Sequence, residues 1–75
     1  MNDTLKTLSE LRADLAALMA ERYHKQVRLA RLQAHRPRRG CEQIVNRARR
    51  RYMDEINDID RQITMIEANI EGMEQ

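Results

Sequence analysis

Only one stretch of this 75-residue chain interrupts helix formation. The run His35-Arg36-Pro37-Arg38-Arg39-Gly40-Cys41 holds the sole proline and the first of two glycines. Proline cannot donate to a helix ladder, and it drives the preceding residue, Arg36, away from helical dihedrals. Gly40 admits a left-handed backbone turn at little cost. No further Pro or Gly follows until Gly72. The rest is rich in Leu, Ala, Met, Arg and Glu, which favour helix, with Ile marking the apolar positions. The chain therefore reads as one all-α domain, residues 1–75, folded as an antiparallel two-helix hairpin. The expected elements are a helix over about 4–34, a loop over about 35–41 and a helix over about 42–72. Asn2, Asp3 or Thr4 is the expected cap of the first helix.

Hydrophobic spacing supports the hairpin. Tyr52, Ile56, Ile59, Ile63, Ile66, Ile70 and Met73 alternate at steps of four and three without a miss, which is a heptad seam. Isoleucine at both seam positions favours assemblies of more than two strands. In the first helix Leu5, Leu8, Leu11, Leu15 and Leu18 form the facing stripe, widened by Met19. Beyond it the apolar set thins to Tyr23, Val27, Leu29, Ala30 and Leu32, and Arg22 falls on the seam. A short loop forces the helices antiparallel, so Leu5–Met19 should lie beside Ile56–Met73 as the well-packed end. A chain this small buries little surface alone, and a lone hairpin exposes the outer flank of both stripes. The expectation is a coiled-coil-like homodimer that closes a four-helix bundle. Met53 and Met65 lie off the seam and suit a second, adaptable contact face.

Charge divides the chain differently. Residues 22–51 carry eleven Lys or Arg against the single acid Glu42, a local balance of +10. Residues 1–21 carry a balance of −2 and residues 52–75 one of −6, so the mild net charge of +2 hides a strongly polarised molecule. Arg36, Arg38, Arg39, Arg47, Arg49, Arg50 and Arg51 crowd the loop and the start of the second helix. There the helix dipole disfavours cations by roughly 0.3–1 kcal/mol each. Like charges also repel at the end of a narrow rod, and a bound anion would relieve both costs.

Three anions could do so. Nucleic acid is the leading reading, because the forked guanidinium matches phosphate and arginine outnumbers lysine here. Arg47, Arg50 and Arg51 fall on one side of the helix with Arg49 nearer the seam, and Gln43 and Asn46 could reach base edges. With only Tyr23 and Tyr52 as aromatics, a stacking platform for single strands is disfavoured. An acidic protein surface is the second, which would make the chain a small inhibitor or adaptor of the kind plasmids and phages carry. The third is a second copy of the chain. Asp60, Glu67 and Glu74 recur every seven residues on one flank of the second helix, and the first helix offers them only Lys6 and Arg12. On that reading the charges set dimer orientation alone, each exposed pair contributing about 0–1 kcal/mol.

Nothing in the residues composes a catalytic site. Cys41 lies six residues from His35, but a nucleophile needs an oriented base and a pocket, which a hairpin tip does not offer. The same two residues supply too few ligands for a zinc site within one chain. His24 sits among charged residues and reads as a solvated side chain. The expectation is no enzyme, no metal, no cofactor and no small-molecule substrate. No apolar run approaches a membrane span, no charged-then-apolar leader opens the chain, and a lone cysteine fits a reducing compartment, so a cytoplasmic protein is expected.

The segment Leu11-Arg12 through Leu18-Met19-Ala20-Glu21-Arg22 resembles the opening helix of the all-helical chorismate mutases. The resemblance ends there: Gln33 stands where that family places a lysine, Leu5 where it places an arginine, and no third helix follows. In architecture alone the chain is similar to the plasmid-encoded, RNA-binding hairpins that dimerise into four-helix bundles, and this analogy carries no residue motif.

Overall fold

A computed structural model describes residues 6–34 and 38–74. It contains two helices, α1 (Leu8–Ala34) and α2 (Glu42–Glu74), packed against each other with no strand among the described residues. The molecule is a rod, with principal extents of 56 × 21 × 16 Å. The expected seam forms its core. Leu11, Ile56, Ile59 and Ile63 are buried, while Leu8, Leu15, Leu18, Ile66 and Ile70 are half-buried. Met19 and Met73, expected to extend the stripe, stand exposed. Leu5 lies outside the described residues, as do His35, Arg36 and Pro37.

The start of α1 differs from expectation. Lys6 and Thr7 precede the helix, and Thr7, not Asn2, Asp3 or Thr4, is its cap. The Glu10 amide donates to Thr7 Oγ1 at 3.1 Å, and the Thr7 amide donates to Glu10 Oε1 at 3.0 Å. This reciprocal capping box satisfies two backbone donors that the first turn leaves orphaned. The Thr7 backbone bond, then its hydroxyl, holds the Glu10 carboxyl below its ordinary range. The signature Thr-x-x-Glu was present at 7–10 and outcompetes the earlier candidates because both halves of the box exist only there.

The other boundaries follow local chemistry. Gly40 adopts φ +93°, and the Cys41 amide donates to the Arg38 carbonyl at 2.8 Å, closing a turn with glycine at its third position. Glu42 then accepts from the Gly40 amide at 2.9 Å. At the far end α2 continues through Gly72 to Glu74. Gly72 lacks the left-handed dihedral that would terminate a helix, and a glycine near a helix end weakens it without stopping it.

The seam of α1 continues past Leu18 through Arg22, Lys25, Leu29 and Leu32, all half-buried. Two of these positions carry charge at the middle of the rod, and each sends its cation across to α2. Arg22 Nη1 donates to Asp60 Oδ1 at 2.8 Å, and Lys25 Nζ donates to Glu55 Oε1 at 2.9 Å. Their aliphatic stems stay on the seam while the charged heads reach water. Near the termini Arg12 Nη2 donates to Glu74 Oε2 at 2.6 Å. These three pairs together align α1 antiparallel to α2.

Candidate functional site

The acids expected to seek a partner outside the hairpin find cations within it. Asp60 takes Arg22 and Glu74 takes Arg12, because an antiparallel partner brings forward α1 residues that linear spacing does not place beside α2. Of the three recurrent acids, only Glu67 has no ion pair among the described residues. The acids that could have bound a second copy's arginines are largely engaged within one chain.

The loop half shows the opposite balance. Arg28, Arg31, Arg38, Arg39, Arg47, Arg49 and Arg50 have no carboxylate at ion-pair distance among the described residues. Arg51 pairs with Glu55 at 3.2 Å, one turn away and largely exposed. Glu55 thus serves two cations from its two oxygens, Lys25 first and then Arg51. Together they hold its carboxyl below the usual range against the opposing push of desolvation.

The helix dipole bears less on these arginines than their crowding does. The first turn of α2 contains an acid, Glu42, and no cation. Arg47, Arg49, Arg50 and Arg51 begin in the second turn, where the dipole has largely faded. Mutual repulsion remains as the cost of placing them together.

The arginines also divide in space. Arg47 and Arg51 line a groove of about 510 Å³ that runs between the helices, together with Lys25 and Arg28 of α1. Its apolar lining is Ile44, Ala48 and Tyr52, and Glu55 completes it. Arg49 and Arg50 line a shallower depression of about 360 Å³ with Asn46, Met53, Asp54 and Asn57. Arg47 and Arg51, four residues apart, share the interhelical groove, whereas Arg50, three residues from Arg47, lines the other depression beside Arg49. Arg49 sits nearer the seam, as its spacing suggested. Its Nη2 donates to Asn46 Oδ1 at 3.1 Å, while its buried Nε has no partner among the described residues.

Sequence reasoning passed over Lys25, Arg28, Ile44, Ala48, Tyr52 and Glu55 as members of one site. One signal was available: Ile44 is an off-seam isoleucine inside a basic run, and the structure leaves it 68% exposed. Tyr23 and His24 meet edge to face at 6.0 Å elsewhere on α1, both exposed. Cys41 is half-buried beside the Gly40 turn. Among the described residues no three His, Cys, Asp or Glu side chains gather as metal ligands, and no helix is long and apolar enough to cross a membrane. Comparison with protein families, with curated proteins and with solved structures finds no match to this chain.

Proposed function

We propose that this chain is a non-enzymatic binding protein, a dimeric helical hairpin whose arginine-rich loop half docks on nucleic acid and regulates a transaction there. The observation that carries this reading is the contrast in neutralisation. Seven loop-half arginines lack a carboxylate among the described residues, while Asp60 and Glu74 are engaged within the chain. Guanidinium groups held apart from carboxylates on a narrow rod suit a polyanion with regularly spaced charges. An acidic protein surface offers the same sign of charge without that spacing, and it stands as the competing outcome of the test.

Dimerisation rests on surface area. A compact monomer of 8.9 kDa exposes about 4,800 Å² by the usual mass scaling, and this chain exposes 6398 Å². The excess reflects the elongated 56 × 21 × 16 Å shape, which leaves a flank of the two-helix layer for a second copy to cover. No side chain is fully buried among the described residues, and Met19, Tyr23, Met53 and Met65 leave apolar surface uncovered.

The test replaces Arg47, Arg50 and Arg51 with Gln together. Melting temperature and sedimentation should stay near wild type, because exposed charges away from the core rarely move stability by more than about 0.5 kcal/mol. Affinity for nucleic acid, measured by fluorescence anisotropy over a salt series, should fall, with the slope shrinking by about one unit per lost phosphate contact. A destabilised dimer with unchanged binding would overturn the reading, and so would binding only to an acidic protein.

A further inference from the structure

We propose that the groove between α1 and α2 receives an unstacked nucleotide of the bound strand, its base against Ile44, Ala48 and Tyr52 and its flanking phosphates on Arg28 and Arg47. This inference rests on the nucleic-acid reading above and gives it a site.

The argument begins with Ile44. An isoleucine 68% exposed among arginines serves neither the seam nor solubility, since the seam positions of α2 run through Val45, Arg49 and Tyr52. It does serve as the outer edge of an apolar strip whose other members, Ala48 and Tyr52, follow one and two turns along the same helix. The groove holds about 510 Å³, within the ~300–1,000 Å³ typical of sites that accept a small planar ligand.

Its cations are not equivalent. Glu55 engages Lys25 and Arg51, which draws both toward one end of the groove. Arg28 on α1 and Arg47 on α2 have no such partner among the described residues, and they rise from opposite walls. A nucleic-acid strand offers the matching pattern, an apolar planar base with a phosphate before it and another after it. One base in the groove brings negative charge to both walls at once. A fully paired duplex keeps its bases stacked inside and would use the arginines while leaving the apolar strip in water. A single ring, that of Tyr52, suffices for one base, which fits a chain with two tyrosines and no other aromatic residue.

The experiment measures anisotropy of the full-length protein with three labelled oligonucleotides of equal length: a single strand, a perfect duplex, and a duplex with one bulged nucleotide. The single strand and the bulged duplex should bind about tenfold or more tightly than the perfect duplex at the same salt. Ile44→Asp should remove that advantage, with circular dichroism confirming an intact hairpin. Met73→Asp, a change at another exposed apolar position outside the groove and near the far end of α2, should leave it in place. Arg28→Gln should lower the salt slope for the single strand by about 0.7. Equal affinity for all three oligonucleotides, or an Ile44→Asp loss that is the same on duplex and bulge, would overturn the groove while leaving nucleic-acid binding intact. Failure to bind any of the three would overturn both, as would binding to an acidic peptide in their place.

Discussion

From Leu8 to Leu18 every seam position of α1 is a leucine, and these lie toward the isoleucine ladder of α2. From Arg22 to Leu32 the same geometric line carries two cations, Arg22 and Lys25, and then two leucines, Leu29 and Leu32, and it lies toward Val45, Arg49 and Tyr52. The two halves share one helical register and differ in what fills it. Three of the four buried residues of the described chain, Leu11, Ile59 and Ile63, belong to the terminal half, and the fourth, Ile56, stands at the junction. The grooves lined by unpaired arginines belong to the loop half. Cohesion and exposed charge are thus separated along the rod, so arginines can accumulate at one end without entering the core.

The sharpest way to break this division is to remove volume at each end in turn. Ile63→Ala, at a site 4% exposed, should cost about 2–5 kcal/mol in urea unfolding followed by circular dichroism, and should dissociate any dimer. Val45→Ala, half-buried in the loop half, should cost no more than about 1 kcal/mol. Equal losses at the two sites would show that cohesion is spread evenly along the rod.

A smaller effect, of opposite sign, sharpens the same contrast. Replacing Arg22 and Lys25 together by Leu continues the leucine seam into the charged half. Asp60 and Glu55 remain in contact with water, and Glu55 keeps Arg51. The double variant should gain roughly 1–2 kcal/mol, because two leucines at half-buried seam positions add packed apolar surface while the lost pairs, with part-exposed partners, contribute little. A lower melting temperature would instead mean that these pairs hold the middle of the rod together.

The smallest effect is read by pH. Glu55 is held below its ordinary 4.5 by Lys25 and then Arg51, so its contribution to stability is fully present above that value. It is lost as pH falls through the depressed folded-state value. Glu10 behaves likewise at the capping box. Glu55→Gln should therefore be less stable than wild type at pH 7 and should lose less on acidification to pH 3, comparing urea midpoints at both. An unchanged pH dependence would mean that Glu55 does not link the helices in solution.

The architecture was legible because its signals are local. The Pro37–Gly40 break, the left-handed Gly40 and the uninterrupted isoleucine ladder each rest on residues close in sequence, and the described parts of the structure reproduce them. The site was only half legible. Arg47, Arg49, Arg50 and Arg51 were visible as a run, yet the separation of Arg47 and Arg51 from Arg49 and Arg50 depends on where α1 lies. Arg22 looked like a flaw in the seam, because the carboxylate that answers it is 38 residues away. The Thr7 cap was missed for a simpler reason: three plausible capping residues precede it, and none has a glutamate three positions on.

The three interhelical ion pairs align α1 with α2, but they carry no information about which molecule each helix belongs to. Arg12 would meet Glu74, Arg22 would meet Asp60 and Lys25 would meet Glu55 just as well if the two helices came from different copies that had exchanged partners. The apolar seam is equally indifferent. What favours self-pairing is the tight connection at Arg38–Cys41, which presents each α1 to its own α2 at an effective concentration of order millimolar. Topology in this chain is therefore decided by the single residue able to take the turn's positive φ, Gly40. Opening that turn would let the three interhelical ion pairs form between copies, converting a hairpin into a domain-swapped pair.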